Sequence, residues 1–425
     1  MPEIPQHVFV LLVFGTVYLG MILGGLPWLK LDRTGIALLG AIALVGGGVL
    51  TVEEAARGID LPTILLLFSF MVISAQMRLG GFYVAVTRGL DALPVGPGVL
   101  LALVIAVAAL LSAVFTNDIV CLAMTPVLVE ACLRRRLDPV PYLLALACAS
   151  NIGSAATLIG NPQNMLIGQA LQLPFAGYAL DAIGPVLASL ALLWLLLVVP
   201  LRRAGAAAPV PAVPRGEPPG RRPAASAEPE PFDAWQTTKG LAVSAALMVI
   251  FLATDWRHDV AALVGAAVLL LSERFHSSRM LALIDWPLLV LFMGLFVVNH
   301  ALQQSGLPGQ ALQGLARAGV DLNDTATLFA ATLGLSNLVS NVPAVMLLLP
   351  AAAGPGARDA GTVLALVSTL AGNLLIVGSI ANIIVVDAAR RYGIEIDWRR
   401  HARIGVPVTL ASLAVVALWL HGAAP

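Results

Sequence analysis

The stretch Ala149-Ser150-Asn151-Ile152-Gly153-Ser154-Ala155-Ala156-Thr157-Leu158-Ile159-Gly160-Asn161-Pro162-Gln163-Asn164 decides the fold. It sets amides, hydroxyls, glycines and a proline inside a run otherwise apolar enough to cross a membrane. Ser150, Asn151, Thr157, Asn161 and Asn164 do not suit acyl chains, and hydrocarbon penalises every unpaired backbone N–H or C=O. A Gly160-Asn161-Pro162 interruption is therefore tolerated only where protein or a watery cavity receives the freed groups. Discontinuous helices of this kind build solute sites near a bilayer midplane.

Composition agrees with that reading. The 425 residues are 59% hydrophobic and 11% charged, with mean hydropathy +0.91, which marks a polytopic membrane protein and excludes a soluble enzyme. Apolar runs near 8–28, 34–51, 61–79, 140–170, 181–200, 238–255, 259–274, 286–304, 361–389 and 404–422 read as spans of a hydrocarbon core about 30 Å thick. Segments 98–133 and 323–350 carry polar clusters at their centres and read as re-entrant helical hairpins with the cluster at the tip. The charges support this choice. With the hairpins in place, twenty basic residues, from Lys30 and Arg33 through Arg134, Arg135 and Arg136 to Arg403, share one face. Only Arg57, Arg257, Arg317 and Arg358 fall on the other, so the basic face is cytoplasmic and both termini lie outside.

The net charge of zero carries no signal for a nucleic-acid partner, and none is expected. Residues 1–7 hold Glu3 and no basic n-region, so the first span is expected to be retained rather than cleaved. Cys121, Cys132 and Cys148 sit in apolar sequence and suggest no disulfide framework. Residues 204–236 are rich in proline and read as an extended cytoplasmic linker. It separates a first unit, 1–203, from a second, 237–425.

The two units align. Asp60-Leu61-Pro62 matches Asp285-Trp286-Pro287, and Thr116-Asn117, nine residues before Pro126, matches Ser340-Asn341, nine before Pro350. Asn151 matches Asn373, and Gly160 with Asn164 matches Gly378 with Asn382. Each half then holds five spans and one hairpin. Five is odd, so the expected fold is an all-α inverted-topology repeat with broken helices at the midplane.

Candidate site residues follow from the tips and the breaks. The first tip offers Ser112, Thr116, Asn117 and Asp118; the second offers Ser336, Asn337, Ser340 and Asn341. The breaks add Ser150, Asn151, Gly153, Thr157, Asn161 and Asn164, and Asn373, Gly378, Ser379 and Asn382. Their oxygens suit a hard cation such as Na⁺, while helix N-termini suit an anion. A bland alternative is that these hydroxyls and amides merely glue helices, but repetition together with glycine and proline breaks favours a binding role. Asp118 stands out because a mid-membrane carboxylate is costly and no Lys or Arg lies between Arg88 and Arg134. A bound cation, a proton or cavity water must compensate it. The histidines are scattered toward helix ends and form no metal-ligand spacing.

At residues 116–126, Thr-Asn-Asp-Ile-Val-Cys-Leu-Ala-Met-Thr-Pro, and at 151–164 the chain resembles the ion transporter superfamily, in its arsenite-permease and anion-permease branch. The divalent anion:sodium symporters and NhaD-type antiporters are related branches. The resemblance implies a transport domain of both hairpins and both broken helices moving in elevator fashion against a scaffold that often forms a homodimer. It places Thr116, Asn117, Asn151 and Gly153 in one half-site and Ser340, Asn341, Asn373 and Gly378 in the other. The dicarboxylate carriers show Ser-Asn-Thr at both tips. Here the tips read Thr-Asn-Asp and Ser-Asn-Val, which favours proton coupling or a single cation at Thr116, Asn117, Asp118 and Asn151. The expectation is an inner-membrane secondary transporter of a small anion or metalloid oxyanion, coupled to H⁺ or Na⁺, without a cofactor beyond bound Na⁺. A Na⁺/H⁺ antiporter is the alternative. An ion channel would need a continuous pore, and no nucleotide-binding loop is present.

Overall fold

Aspartates set where many helices begin. In the computed structural model, which describes residues 5–26, 29–204, 232–354 and 356–422, Asp32, Asp60, Asp138, Asp233, Asp285 and Asp324 each accept a backbone N–H from the helix that follows. Each cap satisfies one otherwise unpaired donor and contributes about 1 kcal/mol. The linker reading falls largely on 205–231 and the reading of Glu3 on residues 1–4, both outside the described residues.

The first half runs α1 (Gln6–Leu23), a short antiparallel ladder of β1 (Gly25–Leu26) and β2 (Leu31–Asp32), α2 (Arg33–Gly46), α3 (Val52–Gly58), α4 (Leu61–Leu79), α5 (Phe82–Ala92), α6 (Pro97–Val114), α7 (Asn117–Arg134), α8 (Pro139–Ser154), α9 (Pro162–Ala170) and α10 (Phe175–Ala204). The second runs α11 (Ala234–Ala253), α12 (His258–Leu270), α13 (Ser277–Leu281), α14 (Trp286–Gln304), α15 (Leu307–Arg317), α16 (Thr325–Val339), α17 (Asn341–Ala352), α18 (Ala357–Ala371), a 3-10 turn (Ile376–Gly378), α19 (Ile380–Arg390) and α20 (Trp398–Gly422). Apart from the ladder, the described chain is a helical membrane architecture. Seven of the helices, α1, α4, α6, α10, α11, α14 and α20, are long and apolar enough to cross a bilayer.

Three sequence readings need correction. The interruptions lie earlier than 160–164 and 378–382: α8 ends at Ser154 and α9 starts at Pro162, while α18 ends at Ala371 and α19 starts at Ile380. Asn161 accepts from Asn164 N at 2.9 Å, so the Asn-Pro pair opens a helix instead of ending one. The spans read at 34–51 and 259–274 are shorter, with 14 residues in α2 and 13 in α12. Gly47 and Gly48, the latter at φ +71°, stop α2. Two amphipathic helices, α5 and α15, were not visible as spans. Each turns off the end of a long helix through a left-handed glycine, Gly81 (φ 70°) or Gly306 (φ 71°).

The halves exchange partners. Helix α2 packs on α14 and α12 packs on α4; α9 lies against α17 and α18, and α19 against α7 and α8. Each hairpin follows a broken helix of its own half, α6 along α8 and α16 along α18. Large apolar side chains face outward along α1, α2, α10, α11 and α12, whereas α8 is buried along nearly its whole length and α18 from Gly361 to Ala371. Small residues permit this close packing. At Gly153 a Cβ would collide with the Ala109 backbone, so α6 and α8 touch main chain to main chain.

Candidate functional site

The two hairpins turn sharply. Phe115 and Thr116 join α6 to α7, and Ser340 alone joins α16 to α17. Ser340 adopts φ 77°, ψ 159°, a region that L-residues occupy only when their surroundings enforce it. Both tips meet the broken helices. Asn117 N donates to Gly160 O at 3.2 Å, and a Cβ on Gly160 would stand 2.7 Å from the Ser112 carbonyl. On the other side, a Cβ on Gly372 would stand 3.1 Å from Asn341 Nδ2, and one on Gly378 3.5 Å from Asn337 Oδ1.

Five side chains from both halves close one network, and carbonyls fix its direction. Asn382 Nδ2 donates to the carbonyls of Gly372 at 2.8 Å and Leu375 at 3.1 Å, groups that only accept. Asn382 Oδ1 is therefore turned to Asn151 Nδ2, at 3.2 Å, and Asn151 Nδ2 also donates to Asn373 Oδ1 at 2.8 Å. Asn151 Oδ1 then accepts from Asn117 Nδ2 at 3.0 Å and from Ser379 Oγ at 2.9 Å. Asn151 thus uses its amide in four bonds. The direction leaves Asn117 Oδ1 as a free acceptor at one end and Asn373 Nδ2 as a free donor at the other; both are buried without a partner among the described residues. Asn337 Oδ1, Asn341 Oδ1 and the hydroxyls of Ser112 and Ser336 share that condition. Buried polar atoms are rarely left so, and a ligand is one way to satisfy them.

Backbone donors add to the set. Helices α7, α17 and α19 begin at Thr116, Ser340 and Ser379 without a side-chain cap; at α19 the Ser379 hydroxyl is spent on Asn151. Their first-turn N–H groups and the positive end of each helix dipole favour an anion.

The other candidates are held nearby. Asn161 Nδ2 donates to Ser154 Oγ at 2.9 Å and Thr369 Oγ1 at 3.2 Å, Gln163 Nε2 to Thr369 Oγ1 at 3.2 Å, and Thr369 Oγ1 to Asn164 Oδ1 at 3.3 Å. Asn164 Nδ2 donates to Thr157 O at 3.1 Å, and Thr157 Oγ1 to Ala113 O at 2.6 Å, which ties the first break to its hairpin. Ser150 Oγ lies 3.0 Å from Cys121 Sγ; all three cysteines are buried free thiols. Gly153 and Gly378 serve through the space they leave. Asp118 sits half-buried in the first turn of α7 and, among the described residues, joins neither the network nor an ion pair; its charge interaction is a repulsion with Asp285.

Sequence reasoning missed Thr369 and Gln163, and also Tyr18 and Asn299. Tyr18 Oη lies 3.2 Å from Asn299 Oδ1 and 3.4 Å from Pro343 O, so α1 and α14 contact the second hairpin just past its tip. Thr369 has no polar counterpart in the first half, and Tyr18 lies in an ordinary apolar span, so neither carried a repeat signal. A cavity of about 350 Å³, lined by Asp60, Leu166, Asn299, His300, Met346 and Pro350 among others, parts the α3–α4 junction and α14 from α9 and α17. None of the five network residues lines it.

Residues 9–371 match the family of citrate transporters. The chain belongs to the citrate transporter family. It is a membrane transporter of the ion transporter and anion permease type, as the motifs at 116–126 and 151–164 implied, and not an enzyme. This family member is 30% identical to a silicon efflux transporter of Oryza sativa subsp. japonica over 97% of each chain. It is 30% identical to an uncharacterised transporter of Mycobacterium tuberculosis strain H37Rv, over 92% of this chain and 94% of the relative. A shorter match, 33% identical over 35% of this chain and 27% of the relative, is to a transporter designated arsB of Dictyostelium discoideum. In fold it is similar to the crystal structure of the Alcanivorax borkumensis YdaH transporter, of unusual topology, with TM-score 0.61 and 15% identity over 98% and 96% of the two chains.

Proposed function

We propose that this chain is a secondary active transporter that carries a small oxyanion or oxygen-rich metalloid across the inner membrane in exchange with, or together with, H⁺ or Na⁺. One observation carries the reading. The Asn117–Asn151–Asn373 chain of bonds joins the two halves and leaves a free acceptor at one end and a free donor at the other, beside three uncapped helix starts. An oxyanion or hydroxylated solute needs both kinds of partner. The relatives named for silicon efflux and for arsB favour a small oxygen-bearing substrate.

In this reading the hairpins and broken helices form an inverted-repeat transport unit that moves, elevator-fashion, against α1, α2, α4, α11, α12 and α14. The cavity beside Asp60 and the Tyr18–Asn299 contact lie along that boundary and support it. The basic face is cytoplasmic, both termini are periplasmic, and two copies pair through the scaffold. Na⁺, where it is the coupling ion, would be held by amide oxygens such as Asn117 Oδ1, with Asp118 supplying charge. A second reading, Na⁺/H⁺ antiport with no anion carried, draws on Asp118, a carboxylate without a cationic partner among the described residues. Uptake into liposomes of arsenite, silicic acid, sulfate, citrate, succinate and Na⁺, under imposed pH and Na⁺ gradients, tests these readings. Saturable, counterflow-competent uptake of an oxygen-bearing solute is expected. Na⁺ flux alone would select antiport, and unsaturable flux a channel.

A further inference from the structure

Helices α10 and α20 each send the fourth residue into a break of their own half. From α10 it is Tyr178, whose Oη donates to the freed carbonyl of Ala155 at 2.7 Å and accepts from Asn164 Nδ2 at 3.2 Å. From α20 it is His401, whose Nε2 lies 3.0 Å from the carbonyl of Asn373. A carbonyl only accepts, so Nε2 carries the hydrogen and donates. Both side chains are 1% exposed. Nothing in the sequence pattern pairs a tyrosine with a histidine; their common position in corresponding helices does. Gly405, one turn beyond His401, completes the contact, for a Cβ there would overlap the Asn373 carbonyl.

We infer that His401 is a positioning residue of the second half-site: its Nε2–H holds the Asn373 carbonyl at the end of α18, so that the Asn373 amide meets Asn151 and presents Nδ2 to the solute. Tyr178 does the same service for the first break. The inference rests on the transport reading for the meaning of the site, but the contact itself does not. The Asn373 N–H is tied back to Leu370 O at 3.2 Å, but among the described residues its carbonyl has no partner other than His401. Its side chain makes one hydrogen bond, to Asn151, and its carbonyl lies past the last turn of α18, where no helical N–H follows in register. Without the imidazole, a buried acceptor is orphaned and the amide that bridges the two halves loses its fixed base.

The test uses the purified full-length chain, with hydrogen exchange across residues 372–379 and uptake in liposomes as separate readouts. His401→Leu, which keeps volume and removes the donor, should speed exchange in that segment about tenfold, the population change expected on losing one buried hydrogen bond. His401→Gln keeps an N–H donor and should leave exchange close to that of the wild type. Gly405→Ala, whose Cβ would overlap the Asn373 carbonyl oxygen and stand 2.8 Å from His401 Nε2, wedges into the contact itself and should reproduce the His401→Leu pattern. For a transported solute, His401→Leu should raise KM about tenfold with turnover nearly constant, because a misplaced donor weakens binding in the ground and transition states alike.

Unchanged exchange in a folded His401→Leu chain overturns the assignment, and so does a fall in turnover at constant KM. Where His401→Leu does not fold, His401→Gln decides: protection like that of the wild type supports the role of the N–H, and lost protection in a folded chain overturns it. A wild type that moves no solute removes the transport reading, while the exchange comparison still settles His401.

Discussion

Asn151 Nδ2 donates to Asn373 Oδ1 at 2.8 Å, joining residues 222 positions apart in the chain. The sequence repeat pairs them, yet Asn151 lies inside α8 and Asn373 two residues past the end of α18, and the bond joins the two halves. Asn151 is bonded from both sides, to Asn117 and Ser379 through its oxygen and to Asn373 and Asn382 through its nitrogen. Asn151→Leu should therefore abolish transport and destabilise the chain by about 2–4 kcal/mol, since four buried partners lose a mate. Thermal unfolding in detergent with liposome uptake measures both. A double-mutant cycle with Asn117→Ala should show strong coupling, and additive losses would place the two residues in separate roles.

Ser340 forms the whole turn of the second hairpin at φ 77°. Ser340→Gly should preserve or raise the unfolding temperature, because glycine enters that conformation without a Cβ penalty. Ser340→Val should lower stability by about 1–3 kcal/mol and stop uptake. An unfolding temperature equal for the two variants would contradict the strained turn.

Asp118 has no hydrogen bond among the described residues, and the charge of Asp285 acts on it as a repulsion. Asp118→Asn should fold normally, since no partner is stranded, and lose the response of uptake to an imposed pH or Na⁺ gradient. Gradient-driven uptake that survives intact in the purified variant removes Asp118 from coupling.

Arg135 braces the loop into the first hairpin. Its Nε donates to Asp91 Oδ1 at 3.1 Å, Nη2 to the carbonyls of Asp91 and Leu93, and Nη1 to Val95 O at 3.3 Å. Partial burial pushes the Asp91 carboxyl up, but hydrogen bonds and charge from Arg134 and Arg135 outweigh it and hold the group below its usual range. A carboxyl depressed in the folded state stabilises above its unfolded value, about 4, and loses that contribution as pH falls below it. Arg135→Lys, which cannot reproduce the fork, should cost about 1–2 kcal/mol at neutral pH, with the difference from wild type shrinking as the pH falls below about 4. A cost that stays constant down to pH about 3 would assign it to the carbonyl contacts alone.

The sequence by itself determined the membrane class, the two hairpins, the two interrupted helices and most of the amides at the centre. Each of these leaves a local mark: an apolar run, a capping aspartate before proline, or an asparagine where a helix should continue. Thr116, Asn117, Asn151, Ser340 and Asn341 were legible because the chain states the pattern twice. The tertiary structure decided what no repeat encodes. It alone showed that Asn382, pinned by two carbonyls, sets the direction of every amide in the network and leaves Asn117 Oδ1 and Asn373 Nδ2 free. It drew in Thr369, Tyr18 and His401, whose partners lie 28 to 325 residues away. It also placed the breaks earlier, at 155–161 and 372–379; in the first, an amide and a proline that read as a stop in one dimension serve as the start of the next helix in three. Hydrogen-bond direction depends on which acceptor stands opposite, and only the folded chain places one there.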